Sequence, residues 1–305
     1  ALSGKPGVAA DIKGGHTMKT IGMIGLGAMG QGIAQNILSR GYSMILYDIR
    51  PDGMIPLVKK GAKIANSIQE IGIHTDTVLV MVNTFGQCQT VIKALMQTLR
   101  NGTVIQLGTM AIDEAEILNH MVSEHGCNMI DCPVSGGTKG AKNGTLTLMA
   151  ACSKGVFDTN QSLLQCFGSN VVHVGEQPGQ GQAVKAINQL LVGIHMCATA
   201  EAFTLANQCG LDLNTMYDVI ASSAGCSEIF RNRGKYLIDR DFSTRSTLQI
   251  QLKDADIVCK TADRVGAPIP LTNTVRELFK LAVRKYPPTD DSLEVVRLYE
   301  ELCSP

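Results

Sequence analysis

The sequence predicts an α/β chain in which a doubly wound, mainly parallel sheet is followed by an all-helical part. Three observations carry this. From Thr20 to about Val174, short β-branched runs alternate with helix-length segments, the pattern of a parallel sheet covered by helices. A glycine-rich turn joins the first such run to the helix behind it, and after Gly181 the strand-like runs stop. Composition agrees: 305 residues, 45% of them apolar, suffice for one or two domains with sizeable cores. Lys plus Arg equals Asp plus Glu at 27 each, so charge gives no hint of nucleic acid.

The opening segment ALSGKPGVAADIKGGHTMKT has four glycines, a proline and no hydrophobic periodicity. It lacks the apolar core of a signal peptide and the arginines of a transit peptide, so residues 1–17 are expected to be a flexible extension, with Met18 a candidate start. The strand-like runs follow in order: TIGMIGLG, MILYDI, TVLVMVN, TVIQLGT, NMIDCPVS, GTLTLMA and VVHVG. Beyond them helical patterns cover 182–208, 214–223, 247–264, 271–285 and 292–302, with Gly210, Gly266, Pro268 and Pro270 as stops. The longest apolar run, Leu190 to Ala202, is broken by His195 and Glu201 and is too short to span a bilayer. Ten cysteines form no CxxC pair and no His/Cys cluster, which argues for reduced thiols in a cytosol-like compartment and against structural zinc. His173 and His195 lie in apolar contexts and read as structural.

The first chemical motif closes the first strand, in IGMIGLGAMGQGIAQNIL. Gly25 permits a tight turn, Gly27 lets backbone approach a pyrophosphate, and Gly30 lets helix and strand pack closely, with Leu26, Ala28 and Met29 completing the loop. The next strand ends in Asp48, eighteen residues after Gly30, where a carboxylate can bind the adenosine ribose hydroxyls and repel a 2′-phosphate. This Rossmann-type fingerprint favours NAD, while Arg50, two residues on, keeps NADP open. Residues 18–181 are therefore read as an NAD-binding domain and 182–305 as an all-helical domain, to which the family resemblance below adds substrate binding and oligomerisation.

Two further stretches hold polar groups of a chemical kind. Ser135-Gly136-Gly137 after a strand offers a hydroxyl and unobstructed N–H groups suited to a carboxylate, or is an ordinary turn. In QLGTM, Thr109 sits at the C-terminal end of a strand, the edge where open α/β sheets bind ligands. In GQAVKAINQLLVGI, helical spacing brings Lys185, Asn188 and Gln189 onto one face of an otherwise apolar helix. A lysine partly desolvated beside a cationic nicotinamide can serve as a general acid/base, whereas an isolated one more commonly snorkels to solvent.

Four segments in order, IGLGAMGQGIAQN, DCPVSGGTKGAKNGTLTLM, GQGQAVKAINQ and LKDADIV, resemble the β-hydroxyacid dehydrogenase family, whose members include 3-hydroxyisobutyrate dehydrogenase, tartronate semialdehyde reductase and L-threonate dehydrogenase. The resemblance covers nearly everything from Met18 onward. It implies that Lys185 takes the proton of a substrate 3-hydroxyl as hydride passes to NAD, and that Ser135, Gly136 and Gly137 hold the substrate carboxylate. It further implies that Thr109 contacts the cofactor near the nicotinamide, that Lys253 closes over it from the helical domain, and that the chain forms homodimers or homotetramers. Two positions bear on the family pattern: where the family shows Asn at the third or fourth place after the lysine, or at both, this chain has Asn188 and Gln189, either of which can orient the substrate, and Cys132 stands where alanine is usual. The run Met216 to Ser246 looks most like the threonate branch, with Ser227, Phe230 and Arg233 as pocket candidates, but Glu228 replaces its aromatic. Threonate is thus one of several short polar 3-hydroxyacids expected as substrate. Two alternatives stand beside this: a decarboxylating 6-phosphogluconate dehydrogenase relative, which needs a longer helical domain, and a non-catalytic binding protein that keeps the fold, against which Lys185 speaks.

Overall fold

The computed structural model describes residues 20–303; the expected flexible extension and the candidate start at Met18 lie outside the described residues. Among the described residues nine strands form one sheet: β1 (Thr20–Ile24), β2 (Ser43–Tyr47), β3 (Lys63–Ile64), β4 (Thr77–Val80), β5 (Thr103–Gln106), β6 (Asn128–Asp131), β7 (Val134–Ser135), β8 (Leu146–Ala151) and β9 (Gly168–Gly175). The order β3-β2-β1-β4-β5-β6 is parallel throughout, and the direction of chain winding reverses between β1 and β4. β8 then runs antiparallel to β6 and β7, and β9 pairs parallel with β8. The two-residue β3 has both side chains exposed and carries no apolar signal that sequence reading can find.

Helices cover both faces because the strands are buried on both, as a parallel sheet requires. On one face α1 (Ala28–Ser39), α2 (Ile55–Val58), α6 (Gly137–Asn143) and α7 (Lys154–Leu164) enclose a core around Met23, Leu46, Ile105 and Phe167. On the other, α3 (Ile68–His74), α4 (Phe85–Leu95) and α5 (Ile112–Ser123) pack over Val78, Val80 and Val104. Side-chain caps fix where these helices begin: Ser67 accepts from Glu70 N, and Thr84 with Gln87 forms a reciprocal capping box.

The chain then enters α8 (Gln180–Gln208), 29 residues and about 43 Å long. Around it pack α9 (Leu213–Ala221), α10 (Glu228–Ile238), α11 (Leu248–Val265), α12 (Pro270–Lys285) and α13 (Val296–Leu302). By length and composition α8 is enough to cross a bilayer, since the apolar run read from the sequence is only its middle. In the fold it is the spine of the helical part, with Gln182, Lys185, Thr199 and Thr204 buried along it.

Residues 228–238 form a helix that the sequence reading leaves out. Ser227 is its N-cap, accepting from Phe230 N at 3.0 Å. Phe230 is 4% exposed in the helical core, stacked on Tyr217 with ring centroids 5.6 Å apart and tilted against Phe203 at the same distance. An aromatic ring enclosed in this way stabilises the packing of α8, α9 and α10. Arg233 turns to the buried Asp291, 3.8 Å away, and Glu228 lies at the surface with Arg231 and Asn232.

Candidate active site

The glycine turn lies at the reversal point of the sheet. Gly25 has φ +91°, and a Cβ there would meet the Met81 carbonyl at 2.2 Å; one on Gly30 would meet the Gly25 carbonyl at 2.0 Å. Both positions therefore need glycine for the turn and the close packing. Gly27, the N-cap of α1, faces open space with no side-chain cap, leaving room and free N–H groups for a phosphate. Asp48 ends β2 directly beside this turn: its Oδ2 accepts from Leu26 N at 2.5 Å and its Oδ1 from Arg50 N at 2.8 Å. Arg50 itself is exposed. Loop, helix end and carboxylate fit a dinucleotide in the arrangement expected for Gly25 through Gly30 and Asp48.

Beyond β4 and β5 a cleft of about 240 Å³ separates the sheet from α11. Asn83, Thr84 and Phe85 line one wall, Thr109 to Ala111 the floor, and Lys253 and Lys260 the far side. Lys253 Nζ donates to the Thr109 carbonyl at 3.4 Å, so these two predicted residues meet across 144 positions of chain. At the cleft mouth α11 is tied to α5: Lys260 pairs with Asp113 at 2.9 Å, and Arg264 holds Glu116 through two bonds of 2.8 and 2.9 Å. Asn83 and Thr84 go unassigned in the sequence reading, although the end of TVLVMVN, beside the glycine strand, is the kind of edge that signals a site.

Lys185 lies in the second turn of α8, 7% exposed, and makes no hydrogen bond or ion pair with any described residue. Burial pulls its ammonium from the usual 10.5 to about 8, opposed by the nearby Asp254 carboxylate and assisted by Lys253. Asp254, 5% exposed, carries no signal of its own within LKDADIV, yet it organises the cluster. Its Oδ2 accepts from Gln189 Nε2 at 2.6 Å, Gln189 Oε1 accepts from Asn188 Nδ2 at 2.7 Å, and its Oδ1 lies 3.5 Å from Lys253 Nζ. The structure thus unites Lys185, Asn188, Gln189, Lys253 and Thr109 through a carboxylate 65 residues from Gln189.

Ser135, Gly136 and Gly137 stand apart from that hydrogen-bonded cluster, at the end of β7 and the start of α6. Gly136 (φ +127°) and Gly137 (φ +61°) are exposed and in backbone conformations that only glycine adopts readily. Ser135 is half-buried, and Cys132 is fully buried, a small side chain absorbed by the core. No group of three or more His, Cys, Asp or Glu residues able to hold a metal occurs among the described residues.

Comparison with known proteins fits this geometry. Residues 20–175 match the family model for the NAD binding domain of 6-phosphogluconate dehydrogenase, and residues 179–299 that for the NAD-binding region of NADP-dependent 3-hydroxyisobutyrate dehydrogenase. An L-threonate dehydrogenase of Haemophilus influenzae is 33% identical over 94% of this chain and 97% of its own. A probable mitochondrial 3-hydroxyisobutyrate dehydrogenase of Dictyostelium discoideum is 36% identical over 88% of this chain and 86% of its own. The crystal structure of 3-hydroxyisobutyrate dehydrogenase from Salmonella typhimurium superposes with a TM-score of 0.85 at 33% identity, covering 92% of this chain and 99% of the other. The chain belongs to the β-hydroxyacid dehydrogenase family and is an NAD(P)-dependent oxidoreductase.

Proposed function

We propose that the chain transfers hydride between C3 of a short polar 3-hydroxyacid and NAD, with Lys185 as the general acid/base. The observation that carries this reading is the buried Lys185, its ammonium pulled down to about 8 in the field of Asp254 and Lys253, the latter reaching across to the Thr109 carbonyl. When bound, NAD supplies the hydride acceptor. The neutral Lys185 amine takes the 3-hydroxyl proton as the C3–H bond breaks, and a carbonyl forms; in the reverse direction the ammonium returns that proton. Ser135 with the N–H groups of Gly136 and Gly137 receives the substrate carboxylate. Asn188 orients the substrate through its Oδ1, while Gln189 braces Asp254.

Gly25 to Gly30 and Asp48 hold the dinucleotide. The carboxylate at the end of β2 favours NAD over NADP, with the exposed Arg50 as the counterweight. Val184, Ile187 and Leu191 make an exposed apolar stripe on α8, supporting a homodimer or homotetramer built on this helix. All ten cysteines are free, which suits a reducing, cytoplasmic setting. The test is a panel of threonate, glycerate, 3-hydroxyisobutyrate, serine, threonine and 4-hydroxybutyrate with each cofactor, followed by NADH or NADPH absorbance. A 3-hydroxyacid turned over with NAD is the expected result. Turnover of none of the 3-hydroxyacids, or of 4-hydroxybutyrate alone, overturns the substrate class; a preference for NADP overturns the role given to Asp48.

A further inference from the structure

One buried acid plays no part in the chemistry above. Asp131, the last residue of β6, is 1% exposed, and its hydrogen-bond partners lie at the N-cap and in the first turn of α8. Its Oδ2 accepts from the N–H groups of Gly179 and Gln182, both at 3.1 Å, and its Oδ1 from Gln182 Nε2 at 2.7 Å. A carboxylate set against a helix N-terminus is held by the helix dipole as well as by hydrogen bonds. The approach is close enough that a Cβ on Gly181 would sit 2.6 Å from the carbonyls of Asp131 and Met149.

Gln182 carries the contact further. It is 1% exposed, and its Nε2 also donates to Gly108 O at 3.1 Å and Gln106 Oε1 at 3.3 Å, while its Oε1 accepts from Met110 N at 3.0 Å. Gly108 and Met110 flank Thr109, so one amide clamps both sides of the residue that Lys253 reaches. Gln182, Lys185 and Gln189 share a helix face, at spacings of three and seven residues. The same amide therefore fixes the cofactor-side loop and the helix that presents the lysine.

Resting on the functional reading above, we propose that Asp131 and Gln182 are positioning residues, a buried junction that sets Lys185 and the Thr109 loop in register for proton and hydride transfer. Neither touches the reacting atoms. The test uses Asp131→Asn and Gln182→Met, which conserve shape, and the double variant, each normalised to folded protein by circular dichroism. Displacement of reacting groups by a fraction of an ångström to an ångström lowers kcat by roughly 10- to 100-fold. KM for the hydroxyacid and the Kd for NADH are expected to stay within about threefold, since their binding groups remain. The double variant is expected to be no slower than the slower single one, because both changes break one unit. Unchanged kcat in folded Gln182→Met, a defect confined to KM, or multiplicative losses in the double variant overturns the proposal.

Hydrogen exchange provides a readout independent of substrate. In Gln182→Met, amides at 108–111 and 180–186 are expected to exchange together, roughly tenfold or more faster than in wild type, with α12 unchanged. Wild-type inactivity on every hydroxyacid would defeat the functional reading and leave this coupling to be read; exchange that rises in one segment only defeats the junction.

Discussion

Asp254→Asn isolates the charge that tunes the lysine. Lys185 stands at about 8 because burial lowers it more than Asp254 raises it, with Lys253 adding to the fall. Each pH unit by which the carboxylate raises the lysine corresponds to about 1.4 kcal/mol of interaction. The sign follows from the removed charge: without the carboxylate the ammonium loses its only favourable neighbour among these causes, so it deprotonates at lower pH than the wild type's value of about 8. Asparagine keeps the shape and an oxygen for Gln189 Nε2. The assay is kcat/KM for hydroxyacid oxidation at saturating NAD between about pH 5 and 10, read at the acidic limb where the neutral amine appears. Wild type should show that limb near 8 and Asp254→Asn well below it. Lys253→Met removes a positive neighbour and should move the limb the other way, above 8. A limb that stays in place in both variants, or moves with the same sign in both, refutes the assignment of that limb to Lys185.

Other consequences follow from named contacts. Phe230→Ala removes an enclosed ring and should cost about 3–5 kcal/mol in urea unfolding while leaving KM for the substrate within about twofold; a KM effect without a stability loss would return Phe230 to the pocket. Asp48→Ala should raise the KM for NAD at least about tenfold and narrow the preference over NADP, measured by initial rates with each cofactor. Lys260→Ala with Arg264→Ala removes the ties between α11 and α5. These pairs are nearly half exposed, so the KM for NAD should rise only about two- to threefold, and added salt should have the same effect on wild type but little on the variant.

The fold was legible where one local signal sufficed. Each β-branched run became a strand, and the Gly25 turn fell where strand meets helix because sterics leave little choice there. Helix starts followed local chemistry too: Thr247 caps α11 and Asp212 caps α9. The last helix reads as one piece from 292, but Asp291 accepts from Leu293 N and tightens the first turn into a 3-10 segment before α13. α10 goes unread in the sequence, although Ser227 before Glu228 has the pattern of an N-cap. At the site, Lys185, Asn188 and Gln189 were visible because helical spacing is local. Asp254 and Gln182 were not, since their roles depend on partners brought from 51 to 76 positions away by the docking of α8 and α11. A buried carboxamide reads as any polar residue until the groups it must satisfy are in place.

The central claim is that Lys185 moves the proton and does not hold the cofactor. Lys185→Ala, compared with wild type in NADH fluorescence titration and in turnover of the best hydroxyacid of the panel, tests it most directly. NADH should bind within about threefold of wild type while kcat falls roughly 10²- to 10⁴-fold, with a primary amine in the buffer restoring part of the loss. Turnover within about tenfold of wild type, or loss of NADH binding in step with activity, would contradict it.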